Sequence, residues 1–255
     1  MLIRDSRSGQ KLDVAGLNEL TVLIDRSETE LTEVAINSWS PGLDGPPHFH
    51  DRKEQNFLVT SGRGRVIIGI ESFSAEPGVF FHVPAGVTHQ TINLQKDQRL
   101  DYFLFNAFLA SDKEGHASFA DHISKVKETR RQQAVAQKAG SDDAATSPSA
   151  SARGKRVVLK DCSGPRSVLL DRTESSRCEA VLFTCQPGER AAAEVDATKE
   201  QTLFVLEGSG RVAAEAGSWN MTAGHVAFVP RASGMEIVAG ERGLRMVSFG
   251  AVVAR

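Results

Sequence analysis

Residues 53–66 read KEQNFLVTSGRGRV, and residues 199–212 read KEQTLFVLEGSGRV. A constant offset of 146 residues relates the two. The same offset carries VLIDRSE at Val22–Glu28 onto VLLDRTE at Val168–Glu174, Pro41 and Gly42 onto Pro187 and Gly188, and Gly78 and Pro84 onto Gly224 and Pro230. No insertion interrupts about 70 residues, so the chain reads as two copies of one unit with common strand order and turn lengths. Within each copy the segments are short, rich in Val, Ile, Phe and Leu, and punctuated by Gly and Pro, as in RVIIGI and EPGVFFHVPAG. This is an all-β pattern, and its regular short strands point to a closed barrel or jelly roll whose interior can hold a ligand.

Between the copies the texture changes twice. Residues 111–138 are polar, with Phe119, Ile123 and Val126 at helical spacing, and predict one amphipathic helix packed by a narrow stripe. From Ala139 to Arg156 the run AGSDDAATSPSASARGKR has no periodic apolar residue to fix it on a core and predicts a flexible linker. The expected organisation is a first barrel over 1–110, a helix and linker over 111–156, and a second barrel over 157–255.

Composition narrows the functional classes. The 30 Lys and Arg against 32 Asp and Glu leave a net charge of -2, which gives no basic field for a phosphate backbone and argues against nucleic acid. MLIRDSRSGQKLDV has no apolar signal core, and no later run approaches the roughly 20 apolar residues of a membrane span. A soluble cytoplasmic protein is expected. Cys162, Cys178 and Cys185 match neither a disulfide framework nor a zinc knuckle and read as reduced, packed side chains.

Chemistry concentrates in GLDGPPHFHDRKEQNFLVTSG at 42–62 and GVFFHVPAGVTHQTIN at 78–93. His48 and His50 are two apart, so on a strand their imidazoles point to one side, as a shared metal requires. His89 can supply a third imidazole if Pro84 and Gly86 turn the chain back into the barrel. Three neutral imidazoles suit one divalent transition metal ion among Fe, Mn, Ni, Cu and Zn, without choosing between them.

These two stretches resemble the paired signature motifs of the cupin superfamily, the second through Gly78, Pro84, Gly86, His89 and Asn93. The resemblance implies two tandem double-stranded β-helix barrels, a bicupin, with a metal held by His48, His50, His89 and a fourth ligand. In the usual cupin pattern a Glu stands where this chain has Gln55, while Glu54 lies one residue earlier. Strand alternation puts Gln55, Phe57 and Val59 on the more apolar, inward face, which favours Gln55; a bulge would restore Glu54. Some cupins that this chain resembles, isomerases of dipeptide-antibiotic synthesis and enzymes that open unsaturated uronates, also combine Gln with three His. Glu54 is the nearest acid or base if it turns inward.

The second copy serves as an internal control. The offset maps His48, His50, Gln55 and His89 to Glu194, Asp196, Gln201 and Met235, so no imidazole remains and no metal is expected there. Lys199, Glu200 and Gln201 nevertheless persist, which suggests that hairpin geometry or ancestry accounts for part of the Lys53–Gln55 motif. His82, His116, His122 and His225 read as structural or surface residues. Phe57, Tyr102, Phe103 and Phe105 read mainly as core. The repeated pair Asp25 and Arg26 reads as a strand-end turn or ion pair.

The resulting expectation is a metal-dependent bicupin acting on a small oxygen-rich metabolite by isomerase, tautomerase or lyase chemistry. A quercetinase-like dioxygenase and a non-catalytic small-molecule or sugar-binding cupin are the alternatives. The chain is expected to be either a monomer that mimics a dimer or a homodimer of four barrels.

Overall fold

The structure, a computed structural model, describes residues 1–138, 153–193 and 195–253, without the side chains of 129–138 and 192–193. The linker expected over 139–156 therefore lies outside the described residues as far as Ser151–Ala152; Lys155 and Arg156 belong to a strand instead. Among the described residues no helix is long and apolar enough to cross a membrane.

The fold is mostly antiparallel sheet with one long helix. In the first unit Lys53–Ser61 lies between Val79–Val83 and Leu100–Phe108, and Leu100–Phe108 also pairs with Thr32–Trp39. A smaller sheet of Glu71–Ala75, Gly64–Ile68 and His89–Asn93 faces it. Val66, Ile68 and Ala75 of the small sheet pack against Phe57, Val59, Phe81 and Tyr102 of the large one, forming the unit's own core. In the second unit Lys199–Ala214 and Met235–Val252 run through both layers, and Cys178–Cys185 and His225–Val229 hold the places of Thr32–Trp39 and Val79–Val83.

The largest core lies between the units. Leu58, Phe80, Phe103 and Phe105 of the first pack against Leu182, Phe204, Val247 and Phe249 of the second, all nearly solvent-free. The turn before the last strand is two residues shorter in the second copy, so Phe249 is the counterpart of Phe105, and the two rings stack at 5.1 Å. A residue that meets its own counterpart marks a pseudo-twofold axis.

Strand exchange obeys the same axis. Leu2–Asp5 pairs with His225–Val229 of the second unit, with Leu2 opposite Phe228. Lys155–Val158 pairs with Val79–Val83 of the first, with Lys155 opposite His82, the counterpart of Phe228. Each unit thus takes an edge strand from the other copy's segment, which covers an otherwise open edge. The close fit extends to Gly154, where an added Cβ would sit 2.4 Å from the Ile68 side chain.

The helix Phe119–Lys138 packs on the first unit beside Gln10–Val14. Its first turn is held by Asp25, whose Oδ2 accepts the Phe119 N–H at 3.1 Å, as suits a carboxylate at a helix N-terminus. Phe119 and Ile123 enter the first unit's core and Val126 packs at its edge, as the sequence spacing predicts.

Candidate metal centre

The backbone fixes two of the imidazoles directly opposite each other. His48 and His89 exchange both backbone hydrogen bonds, at 3.0 and 2.8 Å, in an isolated bridge. The Pro84–Val87 turn returns the chain as expected, and Gly86, at φ +76°, donates its N–H to the His50 carbonyl at 2.9 Å. That positive φ favours glycine. One ring nitrogen from each of His48, His50 and His89 lies within 4.8 Å of the other two.

The tautomers suit a ligand role. The Nδ1 of His89 lies 3.2 Å from the Val87 carbonyl and that of His48 3.0 Å from the Pro46 carbonyl. A carbonyl only accepts, so each Nδ1 carries the proton and each Nε2 presents its lone pair, the usual arrangement of an oriented metal-binding histidine. Nε2 of His89 is buried without a hydrogen-bond partner. Burial, reinforced by neighbouring positive charge, holds His50 and His89 well below the ordinary imidazole range, so both are neutral at physiological pH.

These rings face a cavity of about 770 Å³ that Gln55, Phe57 and Tyr102 also line. Its far wall is polar: the Tyr102 hydroxyl accepts from Asn37 Nδ2 and Trp39 Nε1, both at 2.9 Å, and Asn37 Oδ1 accepts from Asn18 at 2.7 Å. Phe103 and Phe105, one and three residues beyond Tyr102, point instead into the seam between units.

Glu54 lies on the opposite face. Its Oε2 accepts from the Ser175 hydroxyl of the second unit, and it groups with His82 and Cys178 rather than with the cavity. The inward turn on which its acid–base role depends does not occur, because the outward face of this strand packs on the other copy. The repeat explains why the motif persists. Glu200, its counterpart, reaches across the seam in the reverse direction and accepts from the Glu30 and Leu31 N–H groups at 2.8 and 2.9 Å. Lys53 pairs with Glu33 at 2.9 Å, and Lys199 pairs with Glu179 at 2.6 Å.

In the second unit Glu194 lies outside the described residues. Asp196 accepts from the N–H and hydroxyl of Thr198, Gln201 donates to Ser248 at 2.6 Å, and Met235 is buried in an apolar interior with Val205, Met221 and Met246. Among the described residues these positions form no ligand cluster.

Sequence reading missed a polar chain behind the cavity. His122, on the helix, lines the cavity with its ring 5.8 Å from that of His50, and stacks on His116 at 4.5 Å. His116 Nε2 lies 2.7 Å from Glu33 Oε2, while Lys53 and Asn106 donate to Glu33 Oε1. Burial, then the charge of Lys53, lowers His122 to about 2, leaving it neutral. The one available signal was the return of Glu33 and Lys53 as Glu179 and Lys199 at the repeat offset. His225, by contrast, lies in the second unit opposite Asp5, with its Nδ1 against Thr222.

Residues 37–104, which contain all four candidate ligands, match the family model of the cupin domain. No curated protein sequence matches the chain. Among solved structures, Ylba from E. coli is 10% identical with a TM-score of 0.70, covering 98% of this chain and 89% of that one. Oxalate decarboxylase from Lactobacillus farciminis, as its formate complex, is 15% identical with a TM-score of 0.66, covering 98% and 86%. YhhW from Escherichia coli is 12% identical with a TM-score of 0.66, covering 100% and 98%. At these identities the likeness is one of fold, and it extends over both units.

Proposed function

We propose that the chain is a bicupin metalloenzyme whose two units are closed barrels, and that the first of them holds one divalent transition metal ion and acts on a small oxygen-rich metabolite. The observation that carries this reading is the convergence of three imidazoles on one cavity, with His48 and His89 oriented by carbonyls at Nδ1 and His50 and His89 kept neutral by burial. His48, His50 and His89 would hold the ion, His48 and His89 through the Nε2 that their Nδ1 contacts leave free, and the Gln55 side chain would complete the set. When bound, the ion supplies Lewis acidity toward a carbonyl or hydroxyl oxygen, undiminished by any ligand carboxylate. The cavity's own groups do the rest. Phe57 shields one side from water, and Tyr102, Asn37 and Asn18 present the hydrogen-bonding wall that an oxygen-rich ligand needs. His122 takes the place beside the ion expected of Glu54: it is neutral and faces the cavity, and because burial lowers it to about 2 it serves as a hydrogen-bond acceptor to the substrate, not as a proton-abstracting base. The intramolecular strand exchange supports a monomer that mimics a dimer.

Two observations test this reading. Gln55→Ala should lower occupancy of the cavity site at neutral pH while Glu54→Ala leaves that site filled; the reverse pattern would return the ligand role to Glu54. A metabolite screen on the metal-loaded protein should reveal turnover that a His48→Ala, His50→Ala variant lacks. Ligand-induced stabilisation without turnover would make the protein a binding module instead.

A further inference from the structure

The seam holds a second cluster, independent of the cavity. Glu54 and His82, from neighbouring strands of the first unit, meet Cys178 of the second, and one ligand atom of each lies within 4.8 Å of the other two. Their exposures are 6%, 2% and 0%, so no bulk water is available to satisfy them. His82 Nδ1 contacts the Asn56 side-chain oxygen at 3.1 Å, which places the proton on Nδ1 and the lone pair on Nε2. That Nε2 is buried without a hydrogen-bond partner. An orphaned buried polar atom is destabilising, a penalty that a ligand would remove. Asn56 Nδ2 also donates to Cys178 Sγ at 3.4 Å, so one amide orients both the imidazole and the sulfur.

The pseudo-twofold axis provides a control. The counterparts of Glu54, His82 and Cys178 are Glu200, Phe228 and Thr32. On that side the carboxylate is satisfied by two backbone N–H groups of the opposing turn. Bracing the seam thus requires the carboxylate alone; Phe and Thr fill the other two places. The imidazole and the thiol occur together on one side only.

We propose that Glu54, His82 and Cys178 bind a second divalent transition metal ion of the zinc type, which clamps the two units together. One carboxylate, one neutral imidazole and one thiolate form a mixed O, N, S set that zinc and cobalt accept. Their two negative charges balance the ion, so the buried cluster is neutral as a whole. In the metal-free protein burial, aided by Glu54, pushes the Cys178 thiol well above its ordinary range, and burial with Lys155 holds His82 at about 4. Binding therefore releases the thiol proton to solvent and leaves the imidazole as it stands.

Cobalt distinguishes the two sites, because a thiolate–cobalt charge-transfer band arises only where sulfur ligates and the cavity set contains no sulfur. The full-length protein would be produced in minimal medium with Co²⁺ as the only added transition metal. The near-ultraviolet band should appear in the parent and in the His48→Ala, His50→Ala variant. It should vanish from Cys178→Ser together with one cobalt per chain. His82→Phe installs the residue that occupies the equivalent place at Phe228, so it should fold by circular dichroism and lack the band; it decides the matter should Cys178→Ser not fold. A parent without the band, a band that persists in Cys178→Ser, or unchanged cobalt content in His82→Phe would overturn the assignment.

Discussion

Glu33→Gln should destabilise the protein by about 3–5 kcal/mol, the usual cost of leaving one member of a buried ion pair without its partner. Glu33 is fully buried, and its carboxylate faces the Lys53 ammonium, the Asn106 amide and the His116 ring. Removing the charge leaves Lys53, 4% exposed, with no countercharge. The repeat supplies the matched control: Glu179 and Lys199 make the same pair at side-chain exposures of 31% and 22%, where solvent screens it, so Glu179→Gln should cost about 1 kcal/mol or less. The acid limb of stability carries the same signature. Burial alone would raise the Glu33 carboxyl, but Lys53 and His116 outweigh it and lower the group from 4.5 to about 2. A depressed folded-state value means that the stabilisation is complete above about pH 4.5 and is lost as pH falls through about 2. Chemical denaturation across that window should show the loss in the parent and not in Glu33→Gln. Equal costs for the two Glu→Gln variants would show that burial of the first pair has no energetic consequence.

His122→Phe, which keeps a ring to stack on His116, should lower turnover of the metabolite found for the metal-loaded parent by about 10-fold, the loss expected when one positioned hydrogen bond to the substrate is removed. The ion should stay in place, because His122 lies outside the group of three ligating imidazoles. The loss should appear in kcat/KM of the folded, metal-filled variant, since the contact is to the substrate. A structural role for His122 would instead reduce thermal stability and leave the rate of the folded enzyme intact. Unchanged turnover would remove His122 from the mechanism.

Much of this arrangement was legible in the sequence, for reasons specific to each element. The gap-free repeat implied two like units, and the period of two along Lys53–Ser61 put Gln55 and Phe57 on one face and Glu54 and Leu58 on the other. What that alternation could not show was that the second face meets the other copy instead of water, so that Glu54 is a seam residue. Strand exchange was invisible because Leu2–Asp5 pairs some 220 residues away, with no local signal to mark it. His116 and His122 were set aside because an isolated histidine says nothing about its surroundings; only docking of the helix through Phe119 and Ile123 brings them to Glu33 and the cavity.

On the proposed reading the imidazoles of the first unit hold a transition metal and the interior of the second holds none. Anomalous diffraction from crystals of the metal-loaded protein tests it most directly. An anomalous peak is expected among His48, His50 and His89 that disappears in the His48→Ala, His50→Ala variant, with no peak near Asp196, Gln201 and Met235. A peak near Asp196, Gln201 and Met235, or one that persists among the cavity imidazoles after both histidines are lost, would contradict it; a peak at Glu54, His82 and Cys178 belongs to the seam site and bears on that site alone.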